Sequence, residues 1–301
     1  MIGPSACARP HRATDFLMTI ARIAIAGSDV AIARVGLGCS RIFGGRELRS
    51  SARLVEAALQ AGITHFDTAP SYGNGTSEAM LGTVLRGVAE ATITTKIGIP
   101  RGNGQSSAAR VAYRSMIRPW LGWFPRVKSG LIRRMPSRPS LGPAADPARR
   151  RISRDELERS LDESLRELRR HRIELYLIHE PDQFELTDEI VDAMESFRRD
   201  GRIGAFGLAY GRRAGAEPAF GTVLQAFYSG QDSISPMVTP IFHGVLRLPL
   251  DPARHRRPVD LLREVIATEQ RAAFVASASS RRHIAEIGRA AQALAQPSPR
   301  F

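Results

Sequence analysis

The stretch SARLVEAALQAGITHFD, residues 51–67, carries one complete step of a repeating structural pattern. Its apolar residues recur at the spacing of an amphipathic helix: Leu54, Val55, Ala58 and Leu59. Gly62 follows at a C-cap position, where glycine tolerates the left-handed backbone that ends many helices. The next residues, 63–67, form a short apolar run that predicts a strand. The stretch therefore indicates a helix that leads directly into a strand.

The same alternation extends along nearly the whole chain. Eight runs predict strands, at residues 33–39, 63–67, 91–97, 173–178, 203–208, 223–225, 237–241 and 272–276. Most are followed by a segment with helical periodicity, and a capping box from Ser153 to Glu156 opens one of these helices. Such alternation predicts a parallel sheet, and eight units favour its closure. We therefore predict an α/β protein, a single-domain (β/α)8 TIM barrel over residues 19–301.

Two regions lie outside the predicted barrel units. Residues 1–18 show no periodic pattern and no apolar signal-peptide core, and they are predicted to be a disordered N-terminal extension. Residues 101–151 follow the third predicted strand and are predicted to be a long basic insertion. No apolar run approaches the roughly 20 residues of a membrane-spanning helix. We expect a cytoplasmic protein, in which Cys7 and Cys39 stay reduced.

The basic charge of the chain is concentrated in the insertion. The formal net charge is +13, and residues 101–151 hold twelve Arg or Lys against one acid, so the insertion contributes +11 and the rest +2. Two interpretations of the insertion stay open: a solvated surface loop, or a lid that recognises an anionic substrate. A contact with an anionic membrane surface through Trp and Arg is a weaker alternative. Nucleic-acid binding is not expected, because no recognition motif accompanies the charge.

Polar side chains follow three consecutive strands of the predicted barrel. Asp67 ends the second strand and Tyr72 lies in the loop after it, while Lys96 ends the third strand and His179 the fourth. In such barrels the C-terminal ends of the strands form the functional face. Lys96 is also one of only two lysines among 43 basic residues. Each residue alone fits a turn cap or a solvated strand end, but the four together predict one site.

This set of side chains suits the reduction of a carbonyl group by hydride, which requires a proton donor. An unperturbed tyrosine has a pKa of about 10, and a neighbouring ammonium is expected to lower the pKa of Tyr72 toward the working range. Asp67 would keep the Lys96 ammonium charged and in place. His179 would orient the carbonyl oxygen and donate a hydrogen bond to it. We therefore expect Tyr72 to be the general acid.

Several motifs resemble the aldo-keto reductase family in order and in context. They include FDTAPSYG at residues 66–73, TKIG at residues 95–98 and LYLIH at residues 175–179. The run GRIGAFG at residues 201–207 is similar to the family's approach to its fifth strand, and residues 275–286 resemble its cofactor-phosphate segment. The resemblance covers about residues 22–290 apart from the insertion.

The resemblance implies a cofactor and a set of binding residues. It places the four polar residues named above in the family's catalytic tetrad. It implies NADPH, with NADH as the alternative, bound without a Rossmann glycine fingerprint, and it implies no metal. Gln225 matches a residue that binds the nicotinamide amide, and Glu286 matches an adenine contact. The segment for the adenosine-side phosphate matches Ser277, Ser279, Ser280, Arg281 and Arg282. The implied enzyme is an NAD(P)H-dependent oxidoreductase acting on a small carbonyl or sugar substrate.

Three departures from the family pattern keep a second hypothesis open. Ala209 and Tyr210 replace the Ser-Asn pair that usually holds the carboxamide, and Ile287 replaces an asparagine after the adenine contact. Residues 246–272 form a shorter stretch than usual. These departures favour a catalytically weak, cofactor-binding regulatory or scaffold protein on the same barrel. The intact tetrad favours the enzyme.

Overall fold

Eight parallel strands close into a barrel whose order around the axis follows their order along the chain. The computed structural model describes residues 20–41, 48–101, 150–211, 220–230 and 234–292. An antiparallel hairpin, β1 (Arg22–Ala24) and β2 (Ala31–Ala33), precedes the barrel. The barrel strands are β3 (Val35–Gly38), β4 (His65–Asp67), β5 (Thr92–Ile97), β7 (Ile173–His179), β9 (Ile203–Ala209), β10 (Val223–Phe227), β11 (Thr239–His243) and β12 (Ala273–Ala276). A separate parallel pair is formed by β6 (Arg150–Arg151) and β8 (Phe184–Glu185). The closed barrel confirms the predicted fold class.

Helices pack around the outside of the barrel. The described ranges contain α1 (Leu48–Gln60), α2 (Ser77–Val84), α3 (Arg154–Leu168), α4 (Asp188–Arg199), α5 (Pro258–Thr268) and α6 (Arg281–Gln292). The predicted cap at Ser153 is present, since its side chain accepts a hydrogen bond of 3.2 Å from the Glu156 backbone N–H. None of the helices in the described ranges has the length and apolar character needed to cross a membrane.

Two connections between barrel strands are short. They span residues 210–222 and 228–238, between β9 and β10 and between β10 and β11. A helical crossover takes a dozen or more residues. The connection of residues 228–238 is shorter than that, and its described residues hold no helix. The barrel is therefore complete in its strands, while the connection between β10 and β11 departs from the regular (β/α)8 alternation.

The barrel interior is apolar at one end and polar at the other. The hairpin segment contributes Ile25, Val30 and Ile32 to a buried cluster with inward-facing strand residues: Leu175, Leu177, Ala205, Ala209, Val223, Ile241, Ala273 and Val275. The Ala26 N–H donates a 2.8 Å hydrogen bond to the hydroxyl of Thr239, the first residue of β11. The hairpin therefore closes the N-terminal end of the barrel and leaves the C-terminal mouth free.

The ends of the basic insertion are held on the barrel. Arg101, after β5, forms ion pairs of 2.6 Å with Glu78 of α2 and 2.8 Å with Glu163 of α3. At the other end, β6 pairs with β8 just after β7. The insertion between these anchors, residues 102–149, and the predicted extension, residues 1–18, lie outside the described residues. Both anchors lie beyond the C-terminal ends of β5 and β7, so the insertion starts and ends at that face.

A glycine in β9 is required by close packing of two barrel strands. A Cβ atom at Gly207 would lie 1.9 Å from the carbonyl oxygen of Val223 in β10. That oxygen belongs to the backbone of a paired strand, so it cannot move aside as a flexible side chain could. We expect Gly207→Ala to lower the free energy of unfolding by about 3 kcal/mol in urea denaturation. Gly87→Ala is the matched control, because a Cβ there meets nothing within 4 Å and only strains a positive φ. Equal losses in the two variants would contradict the packing argument.

Candidate active site

The four predicted catalytic residues come together at the C-terminal mouth of the barrel. Asp67, Tyr72, Lys96 and His179 all line one cavity of about 350 Å³. Asp67 and His179 are the last residues of β4 and β7, Lys96 is the last but one of β5, and all three side chains line the cavity. Tyr72 begins a tight turn after β4 in which Gly73 and the following asparagine adopt positive φ angles of 58°. That left-handed turn, which Gly and Asn tolerate best, folds Tyr72 back over the barrel mouth.

Lys96 is fully enclosed by groups that favour its charged form. Its Nζ donates hydrogen bonds of 2.7 Å to Asp67 Oδ2 and 2.8 Å to the carbonyl oxygen of Thr68. The same nitrogen lies 5.0 Å from the ring centroid of Tyr72. Burial by itself would lower the pKa of Lys96, but the Asp67 carboxylate and Tyr72 outweigh it and raise that pKa above its ordinary value. These contacts therefore favour the ammonium form of Lys96 and hold it beside the phenol.

The phenol of Tyr72 keeps its proton in the free protein. Burial raises the pKa of Tyr72 above its usual range, although the Lys96 ammonium acts in the opposite direction. The Lys96 ammonium thus acts in the expected direction, but it does not bring this pKa below its ordinary value in the protein without ligand. The physical reason is desolvation, which disfavours tyrosinate in an enclosed site more than one neighbouring charge favours it.

His179 is a neutral imidazole next to Tyr72. The two rings meet edge to face, with 6.0 Å between their centroids. Burial, with the Lys96 charge nearby, lowers the pKa of His179 to about 3. Its Nδ1 is buried and has no hydrogen-bond partner among the described residues. A neutral imidazole in this position can donate one hydrogen bond to an oxygen in the cavity without carrying charge.

The predicted cofactor residues divide into two groups. Gln225, at the middle of β10, and Ser277, after β12, line the same cavity as the tetrad. The other predicted residues lie beyond that lining, just before α6 or in its first half: Ser279, Ser280, Arg281, Arg282 and Glu286. The hydroxyl of Ser280 accepts a 3.2 Å hydrogen bond from the His283 N–H at the beginning of α6. The exposed Arg282 forms a 3.2 Å ion pair with Glu286.

The cavity also has polar residues that were not predicted from the sequence, among them His243 and Arg247. His243 and Arg247 belong to β11 and the turn after it, and both line the cavity. His243 Nε2 lies 2.9 Å from the carbonyl oxygen of Tyr210, so this nitrogen carries the hydrogen. The rule that barrel strands end at the functional face could have identified His243. The predicted strand stopped at Ile241, two residues too early.

A second polar layer lies directly below the tetrad. The imidazole of His65 is buried between two threonines of β5, with Nδ1 3.0 Å from Thr92 Oγ1 and Nε2 3.1 Å from Thr94 Oγ1. Burial lowers the pKa of His65 to about 4. Within the described residues, no cluster of His, Cys, Asp or Glu has the arrangement of a metal site.

Two buried neutral histidines predict that the protein loses stability in acid. His65 and His179 have folded pKa values of about 4 and about 3, against about 6.5 in the unfolded chain. Below pH 6.5 the unfolded chain therefore binds more protons, and the free energy of unfolding should fall by about 1.4 kcal/mol per pH unit for each histidine. Urea denaturation between pH 7.5 and 5 measures this slope. His65→Asn should remove about half of this slope, because His179 still contributes, whereas substitution of the exposed His171 by Asn should leave it unchanged.

Comparisons with known proteins agree with this geometry. The model of the aldo/keto reductase family matches residues 34–212, more than half of the chain. The aldo-keto reductase YhdN of Bacillus subtilis is 24% identical over 192 residues, which are 62% of this chain and 45% of that protein. The chain thus spans about half the length of the curated relatives it matches.

Solved structures share the fold. A crystal structure from Pseudomonas aeruginosa, of a protein assigned as an aldo-keto reductase, has a TM-score of 0.64 at 21% identity, over 94% of this chain and 99% of that chain. An aldo-keto reductase from Klebsiella pneumoniae in complex with NADPH has a TM-score of 0.59 at 16% identity, over 91% and 90% of the two chains. The family match, supported by the barrel, leads to one conclusion: the chain belongs to the aldo-keto reductase family.

Proposed function

We propose that this protein is an NAD(P)H-dependent oxidoreductase that interconverts a carbonyl compound and its alcohol, with Tyr72 as the general acid. One observation carries the proposal. A charged lysine, held 2.7 Å from Asp67, lies 5.0 Å from the Tyr72 ring inside a cavity that His179 also lines. Membership of the aldo-keto reductase family supports the same reaction class.

Each residue of the tetrad has a distinct role in this proposal. A carbonyl oxygen in the cavity accepts hydrogen bonds from the Tyr72 hydroxyl and from neutral His179. As negative charge develops on that oxygen, Tyr72 gives up its proton and the adjacent Lys96 ammonium stabilises the resulting tyrosinate. Asp67 keeps the ammonium charged and directed at the phenol. Because burial keeps Tyr72 protonated in the free protein, the site is prepared for the reductive direction.

The residues present fit a nicotinamide dinucleotide, which supplies the hydride when bound in its reduced form. Gln225 would hold the nicotinamide amide at the tetrad end of the cavity. At the other end of the cavity, a Cβ atom on Gly38 would lie 2.6 Å from Ser277 Oγ. Glycine at this position therefore leaves open a narrow space that a side chain would fill. The first turn of α6 has no acidic residue, which suits a phosphate at a helix N-terminus.

Two exposed arginines favour NADPH over NADH in this proposal. Arg281 and Arg282 begin α6, where a 2′-phosphate would pair with them. Glu286 would contact the adenine, and its present ion pair with Arg282 would then be exchanged for the ligand. The NADPH complex of the Klebsiella pneumoniae relative supports the same cofactor class. The substrates we propose are small aldehydes, ketones or sugars.

Consumption of NADPH and of NADH, measured against a panel of aldehydes, ketones and aldoses, tests the proposal. We expect NADPH oxidation with at least one carbonyl substrate and its loss in Tyr72→Phe. A parent protein that binds neither dinucleotide would refute the proposal.

One observation favours the second candidate, a cofactor-binding regulatory protein. Ala209, a buried residue at the cavity wall, offers only a methyl group where the family usually has a polar side chain. A protein of this kind would bind the dinucleotide tightly and show no turnover with any member of the panel. Binding and turnover measured on the same preparation therefore separate the two candidates.

A further inference from the structure

A hydrogen bond across the barrel mouth links Asp67 to Gln225. Asp67 Oδ2 accepts a 2.7 Å hydrogen bond from Gln225 Nε2 and another of 2.7 Å from Lys96 Nζ. Strands β4 and β10 are not neighbours in the barrel, so the Gln225 side chain spans the mouth to reach this oxygen. Both partners are buried, with 4% of Asp67 and 3% of Gln225 exposed. The contact is therefore internal to the site.

This hydrogen bond fixes which end of the Gln225 amide faces the cavity. The two ends of a glutamine amide have nearly the same shape but opposite hydrogen-bonding character. A carboxylate paired with Lys96 can only accept, so the NH2 group must face Asp67 and Oε1 must face away. Within the described ranges no donor is bonded to Oε1, and Gln225 lines the cavity. The amide therefore offers an acceptor to a ligand.

Within the described residues, Asp67 is the hydrogen-bond partner of the Gln225 side-chain amide. Ala209 lies opposite Gln225 in the paired strand β9 and has no polar side-chain atom. The next residue, Tyr210, donates its backbone N–H to the Gln225 carbonyl oxygen at 2.8 Å. Asp67 is thus the group that distinguishes the two orientations of the amide.

We propose that Asp67 is a positioning residue for cofactor recognition as well as for Lys96, because it orients Gln225 so that Oε1 accepts a hydrogen bond from the NH2 of the nicotinamide carboxamide. This inference rests on the proposed function, since it requires a nicotinamide ligand. In this inference Asp67 Oδ2 both holds the Lys96 ammonium and orients the Gln225 amide. Recognition of the nicotinamide carboxamide therefore depends on a member of the tetrad.

The inference predicts how two dinucleotides should differ in affinity. NADP⁺ carries the carboxamide, whereas its 3-acetylpyridine analogue has a methyl group in place of the NH2. The analogue would leave Gln225 Oε1 without a donor, and an unsatisfied buried acceptor weakens binding by roughly tenfold or more. The dissociation constant of the analogue divided by that of NADP⁺ therefore reports the orientation of the Gln225 amide. Measuring this ratio requires no turnover.

Equilibrium binding of both dinucleotides, followed by calorimetry, should be compared in the parent and four variants. We expect a ratio of about ten or more in the parent and close to one in Gln225→Met and Asp67→Ala. Asp67→Asn should largely restore the ratio, because Lys96 holds the asparagine oxygen toward both donors. Tyr72→Phe is the matched control and should keep the parent ratio, since it leaves the Asp67–Gln225 bond intact.

The outcomes separate this inference from the proposed function. A parent ratio near one, or an Asp67→Ala ratio equal to that of the parent, would overturn the inference while dinucleotide binding itself survives. A parent that binds neither dinucleotide would overturn the proposed function and the inference with it. If Asp67→Ala does not fold because Lys96 loses its partner, the double variant Asp67→Ala/Lys96→Met removes both charges and has the same expected ratio, close to one.

Discussion

Substitution of Tyr72 by phenylalanine is expected to lower kcat for carbonyl reduction by about 10²- to 10⁴-fold. The change removes only the phenol oxygen. The ring keeps its edge contact with His179 and its place beside Lys96. The dissociation constant for NADPH should stay within about twofold of the parent value, because the hydroxyl is needed for the proton and not for holding the dinucleotide. Steady-state kinetics and equilibrium binding on the same preparations measure both quantities.

Tyr176→Phe is the matched control for this experiment. Tyr176 is a fully buried tyrosine that does not line the cavity. Its substitution removes the same atom from a different place and should leave kcat nearly unchanged. If Tyr72→Phe retained activity within a few-fold of the parent, Tyr72 could not be the general acid. If both variants lost activity equally, the loss would reflect damage to packing.

The barrel could be predicted because its strands are short apolar runs bounded by turns. Every predicted strand coincides with an observed one to within about two residues, for example residues 203–208 against β9 (Ile203–Ala209). Periodicity is a local property, and the closure of eight βα units follows from their number. The connection between β10 and β11, residues 228–238, is too short for a helical crossover, and that length can be read directly from the sequence.

The candidate site was predictable in its members and less so in its contacts. Asp67, Lys96 and His179 could be found because strand exits share one face of a barrel. The hydrogen bond from Gln225 to Asp67 depends on the width of the closed barrel, and no local pattern encodes that distance. The raised pKa of Tyr72 likewise depends on how completely the folded chain encloses the phenol. The roles of the residues stay predictions until the variants are measured.

Lys96→Arg is expected to lower kcat/KM by about 10²-fold or more, even though the positive charge is kept. The ammonium is compact and 2% exposed, and it donates to Asp67 Oδ2 at 2.7 Å and to the Thr68 carbonyl oxygen at 2.8 Å. A guanidinium is larger, planar and differently directed, so it cannot make these contacts and remain beside Tyr72. Forcing it into this space should also lower the free energy of unfolding by about 1–3 kcal/mol.

The other lysine of the chain provides the matched control for that variant. Lys128 lies in the insertion, outside the described residues, and Lys128→Arg makes the same chemical change at a residue that is not a member of the tetrad. We expect Lys128→Arg to keep the kcat/KM and thermal stability of the parent. The pH dependence of carbonyl reduction adds a second readout, because displacement of the ammonium removes the charge that stabilises tyrosinate. A Lys96→Arg enzyme with the parent's rate and pH profile would show that any buried cation suffices, and the specific role of the lysine would then be wrong.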